Sequence, residues 1–309
     1  VRYASAAAFR SALEAHLRQR SQRTGLSLVR LRKAITFERL LARLLAVAPE
    51  RWVLKGALAL DFRLGSQARA TLDMDLGRYD DAEAATVDLL AAQMCDLGDY
   101  FVFGVERTDR LDALREAAAV RYHVHAELAG RTFEHVTVDV GFSSRPADQR
   151  GGQAETITGP DFLSFAEIAP IRIPTLTLNH HVAEKLHAYT RGYGEAGAVQ
   201  STRVKDLVDL VVIASTTDFA ARRLRDALVE VFESRQLQRL PPRFPPPPAS
   251  WQRPYATMAR DVGQDGDLVA GHAAVAAFLG PILSSASPAD TLWDHTQKRW
   301  QAAHGVTHG

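Results

Sequence analysis

The sequence predicts an α+β fold in which a central mixed sheet, within residues 51–150, lies between helical regions. Three observations predict it. Residues 7–48 repeat apolar side chains at helical spacing, residues 71–140 hold runs that alternate with a period of two, and helical spacing returns from residue 178.

The elements follow in order. Phe37, Leu40, Leu41, Leu44, Leu45 and Ala48 fall on one helix face, and the Thr24-Gly25 pair marks a break before it. Val53-Leu54-Lys55 reads as a short strand, and Gly56 opens a helix to Leu64. Thr71 to Leu76 alternates, with Leu72, Met74 and Leu76 on a buried face and Thr71, Asp73 and Asp75 opposite. Residues 82–97 read as a helix, and 100–106, 119–128 and 133–140 as strands. Residues 141–152 read as a loop. Helices are expected over 178–190, 204–213, 219–233, 267–282 and 288–303. Seven of the 14 prolines fall between Pro241 and Pro254, so residues 241–254 are expected to form a stiff, extended connector rather than a packed element. The expected division is residues 1–150, N-terminal helices plus a core with the paired carboxylates, and 151–309, a mainly helical domain.

Size and charge exclude several classes. The chain has 309 residues, 46% of them hydrophobic and 24% charged, with a net charge of +1. These values exclude a disordered tail, a collagen-like fibre and a small disulfide-stapled module. Near-neutrality argues against a protein that coats nucleic acid over its whole surface. The charge is uneven, however. Residues 1–50 carry ten Lys/Arg against three Asp/Glu, whereas 51–150 carry 12 against 17. The basic front, with Arg18, Arg20, Arg23, Arg30, Arg32 and Lys33, reads either as a solvated helix surface or as a patch for a polyanion such as tRNA. A single cysteine, Cys95, with no leader-like segment leads to the expectation of a reducing, cytoplasmic location. Cys95 itself reads as a buried core thiol. No apolar run approaches the ~20 residues of a membrane span.

Asp73 and Asp75 are the most informative residues. Two apart on a strand, they leave the same face, where their charges repel unless a cation lies between them. Mg²⁺ (or Mn²⁺) takes such oxygen ligands together with substrate phosphates. Asp139, on the polar face of Thr137-Val138-Asp139-Val140, offers a third carboxylate. Three on neighbouring strands suit two-metal phosphoryl transfer. The alternative is a solvated strand face. Upstream, the turn at Lys55-Gly56-Ala57 could cradle phosphates with its backbone N–H groups.

Val53 to Leu60, followed by Arg69-Ala70-Thr71-Leu72-Asp73-Met74-Asp75-Leu76, resembles the AbiEii/AbiGii-type nucleotidyltransferase toxins, MenT-like members of type IV-like toxin–antitoxin systems in the DNA-polymerase-beta-like superfamily. Glu184-Lys185-Leu186 and Arg203-Val204-Lys205-Asp206-Leu207-Val208-Asp209-Leu210 continue the likeness in the family's order, over about residues 35–215. Ala57 stands where the family has a second glycine, and Leu58 where many members have Ser or Thr. The resemblance implies a nucleotidyltransferase fold that transfers a nucleoside monophosphate from an NTP to an acceptor. The implied acceptor is the tRNA 3′ end, so that translation is blocked, and the implied partner is a cognate antitoxin. It further implies that Asp73, Asp75 and Asp139 hold the metals and that Lys185 and Asp206 are catalytic. Lys55, Gly56, Ala57, Arg69, Thr71, Lys185 and Arg203 would bind the nucleotide. Two alternatives stay open: a protein or small-molecule acceptor, or a non-catalytic binding protein with a decayed site.

Other residues read more plainly. Arg69 could clamp phosphate or pair with an acid, and Asp209 could be a structural partner. His123 and His125 read as a polar sheet face rather than a metal site, and His180-His181 as helix surface.

Overall fold

The structure is a computed structural model that describes residues 2–110, 119–143, 153–191, 203–235, 238–284, 286 and 289–302. Two compact units emerge. One comprises residues 1–66 and 70–176, the other 67–69 and 177–309.

The first unit opens with two helices, α1 (Ala6–Thr24) and α2 (Leu28–Val47). Ser5 and Ser27 cap their N-termini, and Gly25 at φ +73° ends α1 at the expected break. The sheet contains β1 (Val53–Lys55), β2 (Asp73–Arg78), β3 (Phe101–Arg110), β4 (Ala119–Leu128), β5 (Arg131–Phe142), β6 (Ala154–Thr158) and β7 (Arg172–Leu176), in the order β3-β4-β5-β2-β1-β7-β6. β2 runs parallel to β5, and β1 parallel to β7, while the other pairs are antiparallel, so the sheet is mixed. Helix α3 (Gly56–Leu64) follows β1, and α4 (Ala82–Met94), capped by Asp81, follows β2. The alternation in β4 and β5 buries Val120, Tyr122, Val124, Val136, Val138 and Val140 in one core with Phe9, Leu13, Leu31, Ile35 and Phe37 of the two opening helices. The other sheet face carries the polar residues.

The second unit packs α5 (Leu178–Thr190), α6 (Val204–Thr216), α7 (Ala221–Arg235), α8 (Gln252–Asp261) and α9 (Leu268–Leu283) with a small sheet of β8 (Phe219–Ala220), β9 (Thr291–Asp294) and β10 (Arg299–Ala302). Leu186, Leu207, Ile213, Leu224, Leu228 and Phe278 are buried there.

The α+β expectation holds, with several local corrections. Residues 154–176 add β6 and β7 to the sheet. The helix expected over 288–303 is a hairpin, β9 and β10. Asp294 Oδ1 accepts from the N–H groups of Thr296 and Gln297, closing its turn, and Trp293 pairs with Trp300 across it. Those bonds, led by the Thr296 hydroxyl, hold the Asp294 carboxyl down at about 2. The proline-rich stretch is packed rather than a free connector. Phe244 stacks on Tyr189 at 4.6 Å, the Tyr189 hydroxyl donates to Pro245 O, and Trp251 is buried. His180 and His181 are buried, not surface residues, and the His180 ring bridges Thr177 and Glu230. Cys95 is half-buried. Leu72 lies before β2 and is 66% exposed. The loop expected at 141–152 lies outside the described residues from 144 onward, and Gly141 and Phe142 belong to β5.

Most of the basic front is engaged internally. Arg39 and Arg43 are buried on Glu38 and Asp99, Arg30 pairs with Asp61, Arg32 with Glu14 and Lys33 with Glu134. Arg10 and Arg20 donate to backbone carbonyls. A charge excess counted from sequence is therefore a poor guide to this surface, because much of it neutralises acids within the fold. Among the described residues, no helix is long and apolar enough to cross a membrane.

Candidate active site

Strand alternation places Asp73 and Asp75 half-buried on one face of β2, while Met74 and Leu76 anchor the strand in the core. The parallel register sets Asp75 beside Asp139 of β5, and Asp73 beside Thr137. On the other side, Lys55 of β1 is the antiparallel partner of Asp75. The Lys55 side chain lies across Gly77, where an added Cβ would fall 2.8 Å from Lys55 Cδ.

Gly56 completes this row. Its φ is +64°, a conformation that favours glycine, and an added Cβ would fall 1.8 Å from Asp75 Oδ2. The Asp75 carboxylate therefore packs directly against the N-terminal turn of α3. Ala57 and Leu58 point into the core. Leu58 thus fills a packing position.

Asp139 differs from the other two carboxylates. Arg121 of β4, directly opposite it in register, holds both of its oxygens at 2.8 and 2.7 Å. Among the described residues the Asp73 carboxylate has no ion-pair partner, and no three His, Cys, Asp or Glu side chains gather closely enough to hold a metal ion. The donor chemistry of Asp73 and Asp75 fits Mg²⁺, since both are accessible carboxylates on one face and Gly56 leaves room for the second. Asp139 joins them in register, with its oxygens turned to Arg121.

Thr71 departs from the expectation that it shares the strand's polar face. It precedes β2, and its hydroxyl donates to Asp73 O at 2.9 Å, bracing the start of the strand.

The second unit brings together Arg69, Lys185, Arg203, Asp206 and Asp209. Lys185 Nζ, on α5, lies 3.1 Å from Asp206 Oδ1 and 2.6 Å from Asp209 Oδ2, both on α6. The three-residue spacing of the two Asp residues puts them on one helix face. Arg69 donates to both Asp209 oxygens, at 2.9 and 3.2 Å, and Arg203 reaches Asp206 at 2.7 Å. Asp206 and Asp209 are buried, as is Lys185. Burial works to lower the Lys185 pKa, but Asp209 and Asp206 outweigh it and hold it above its ordinary value. Burial likewise works to raise Asp209, and Lys185 and Arg69 overcome it, so Asp209 is held below its ordinary value. The two acids thus favour the ammonium form of Lys185. Arg69 pairs with an acid, and Asp209 joins both cations. Sequence reasoning missed Arg121, whose only sequence signal was its place on the polar side of an alternating strand.

A family described as "Nucleotidyl transferase AbiEii toxin, Type IV TA system" matches residues 39–293. Among solved structures, MenT4, a nucleotidyltransferase toxin from Mycobacterium tuberculosis H37Rv, aligns with a TM-score of 0.54 and 20% identity, covering 94% of this chain and 92% of that one. JHP933 from Helicobacter pylori aligns with a TM-score of 0.46 and 15% identity over 82% and 93% of the two chains. A search of curated proteins gave no match. The family match spans most of the chain, including Asp73, Asp75, Asp139 and the Lys185 cluster, and on that basis the chain belongs to the AbiEii nucleotidyltransferase toxin family of type IV toxin–antitoxin systems and is a nucleotidyltransferase.

Proposed function

We propose that this toxin transfers a nucleoside monophosphate from an NTP to the 3′ end of tRNA in a divalent-metal-dependent reaction, blocking translation in the cytoplasm until its cognate antitoxin restrains it. The observation that carries this reading is the row Lys55, Asp75, Asp139 in register across β1, β2 and β5, with Gly56 cradling Asp75 and Asp73 on the same face.

In this reading the acceptor 3′-hydroxyl oxygen attacks the α-phosphorus. The new P–O bond forms as the bond to the β-phosphate oxygen breaks, and pyrophosphate leaves. Asp73 and Asp75 would hold Mg²⁺, which when bound supplies charge neutralisation to the triphosphate and acidity to the hydroxyl. The turn at Lys55-Gly56-Ala57 presents backbone N–H groups to phosphate oxygens. The family resemblance assigns Lys185, charge-paired with Asp206 and Asp209, to the nucleotide. Asp139 takes the hydroxyl proton once Arg121 releases it. Arg69 and Arg203 act through Asp209 and Asp206, as positioning residues for Lys185.

The test is incubation with labelled NTPs, tRNA and Mg²⁺. Wild type is expected to label tRNA and Asp73→Ala to fail; equal labelling by the two would sink the catalytic reading. Calorimetry is expected to show Mg²⁺-dependent NTP binding; its absence would mean that the Arg121–Asp139 pair keeps the site from loading.

A further inference from the structure

The polar face of the first unit's sheet continues beyond the carboxylates. Cross-strand register aligns Glu106, His123, Thr137 and Asp73 in one row across β3, β4, β5 and β2. The next row holds Gly104, His125 and His135. The three histidines are exposed. Together with Lys33, Leu72 and Asp73 they line an open groove of about 920 Å³.

Several features mark this groove as built to take a ligand. Gly104 makes room for the His125 ring, since a Cβ there would fall 1.9 Å from His125 Cε1 and 2.3 Å from Nε2. The rings of His125 and His135 lie 6.3 Å apart with 44° between their planes. His123 and His125 repeat along one strand at ~7 Å. Lys33 stands at the border, its Nζ donating to His135 O at 2.6 Å. Leu72, next to Asp73 in the chain, exposes an apolar side chain at the groove's catalytic end. Exposed rings in series form the platform on which unpaired bases stack. The basic residues of the opening helices, the other candidate for polyanion binding, are mostly engaged within the fold.

We propose that this groove is the acceptor channel and seats the unpaired 3′-terminal nucleotides of an RNA. The terminal nucleotide lies over His123 and Thr137, beside Asp73. The preceding bases stack on His125 and His135. The proposal rests on the nucleotidyl-transfer reading and assigns acceptor-binding residues to it.

The test titrates fluorescently labelled tRNA onto the full chain by anisotropy without NTP, so that no transfer occurs. His125→Ala and His135→Ala are each expected to weaken binding about tenfold, as loss of a stacked base does. His125→Phe keeps a ring and is expected to stay close to wild type. Gly104→Ala displaces the ring and is expected to match His125→Ala, with unchanged circular dichroism and melting. In the transfer assay His125→Ala, His135→Ala and Gly104→Ala raise KM for tRNA and leave KM for NTP alone. Wild-type tRNA affinity in all of these variants overturns the proposal, as does a groove whose loss weakens labelling only of a protein acceptor. If tRNA binds through the histidines but no nucleotide is transferred, the groove assignment stands and the nucleotidyl-transfer reading fails.

Discussion

Asp75 and Gly56 occupy one another's space: the Asp75 carboxylate lies where any side chain at Gly56 would have to be, 1.8 Å from the position of its Cβ. The glycine also holds φ at +64°, which costs another residue about 1–2 kcal/mol. Gly56→Ala is therefore expected to lower the melting temperature and to push Asp75 out of its place. Nucleotidyl transfer should fall by more than the stability loss explains. A variant that melts lower yet keeps full activity per folded molecule would show that Asp75 need not stay against the turn.

The pair between Arg121 and Asp139 sets a second expectation. Arg121 neutralises the carboxylate that the family likeness assigns to the metal site. Arg121→Gln should release Asp139 and reduce the Mg²⁺ concentration for half-maximal transfer several-fold, consistent with about 1 kcal/mol for a part-exposed pair. Asp139→Asn should move that midpoint upward. If Arg121→Gln also moves it upward, Arg121 supports the site rather than masking it.

The reasons these two pairs differ in sequence legibility are physical. Asp73 and Asp75 were readable because strand alternation is a local rule, and the Lys55-Gly56 turn because glycine marks a required φ. Arg121 lies 18 residues from Asp139 and meets it only through antiparallel register. The same limit applies elsewhere. The hairpin of β9 and β10 depends on an Asp294 side chain closing a turn, which residue spacing alone does not encode. The proline-rich segment is packed because Tyr189 supplies a distant stacking partner for Phe244. Leu72 broke the buried alternation because β2 begins one residue later, at Asp73.

Charge burial separates Asp209 from Asp73. Asp209 is enclosed with Lys185 and Arg69, so Asp209→Ala leaves two cations without their shared partner. Breaking a buried pair in this way costs about 3–5 kcal/mol, which chemical denaturation would read directly. Asp73 is half-buried and has no ion-pair partner among the described residues, so Asp73→Asn is expected to stay within about 0.5 kcal/mol of wild type. It should still abolish transfer. A large stability loss in Asp73→Asn would mark that carboxylate as part of the scaffold.

His187 gives the fold a pH dependence of its own. The ring is buried edge-on to Phe232, 5.1 Å between centroids, and among the described residues neither ring nitrogen has a hydrogen-bond partner. Burial, reinforced by Arg235 and Arg191, lowers its pKa from 6.5 to about 4. Above pH 6.5 the imidazole is neutral in both the folded and unfolded chains and has no effect on the pH dependence. As pH falls from 6.5 to 4, the unfolded chain takes up a proton that the folded chain refuses, so stability drops across that window and levels off below it. The loss has an upper bound of about 3 kcal/mol, at 1.36 kcal/mol per pH unit. His187→Leu removes the titrating group and the unpaired nitrogens together. Its denaturation midpoint should therefore vary less between pH 7 and pH 4.5 than that of wild type. Equal slopes for the two proteins would mean that other groups carry the acid sensitivity.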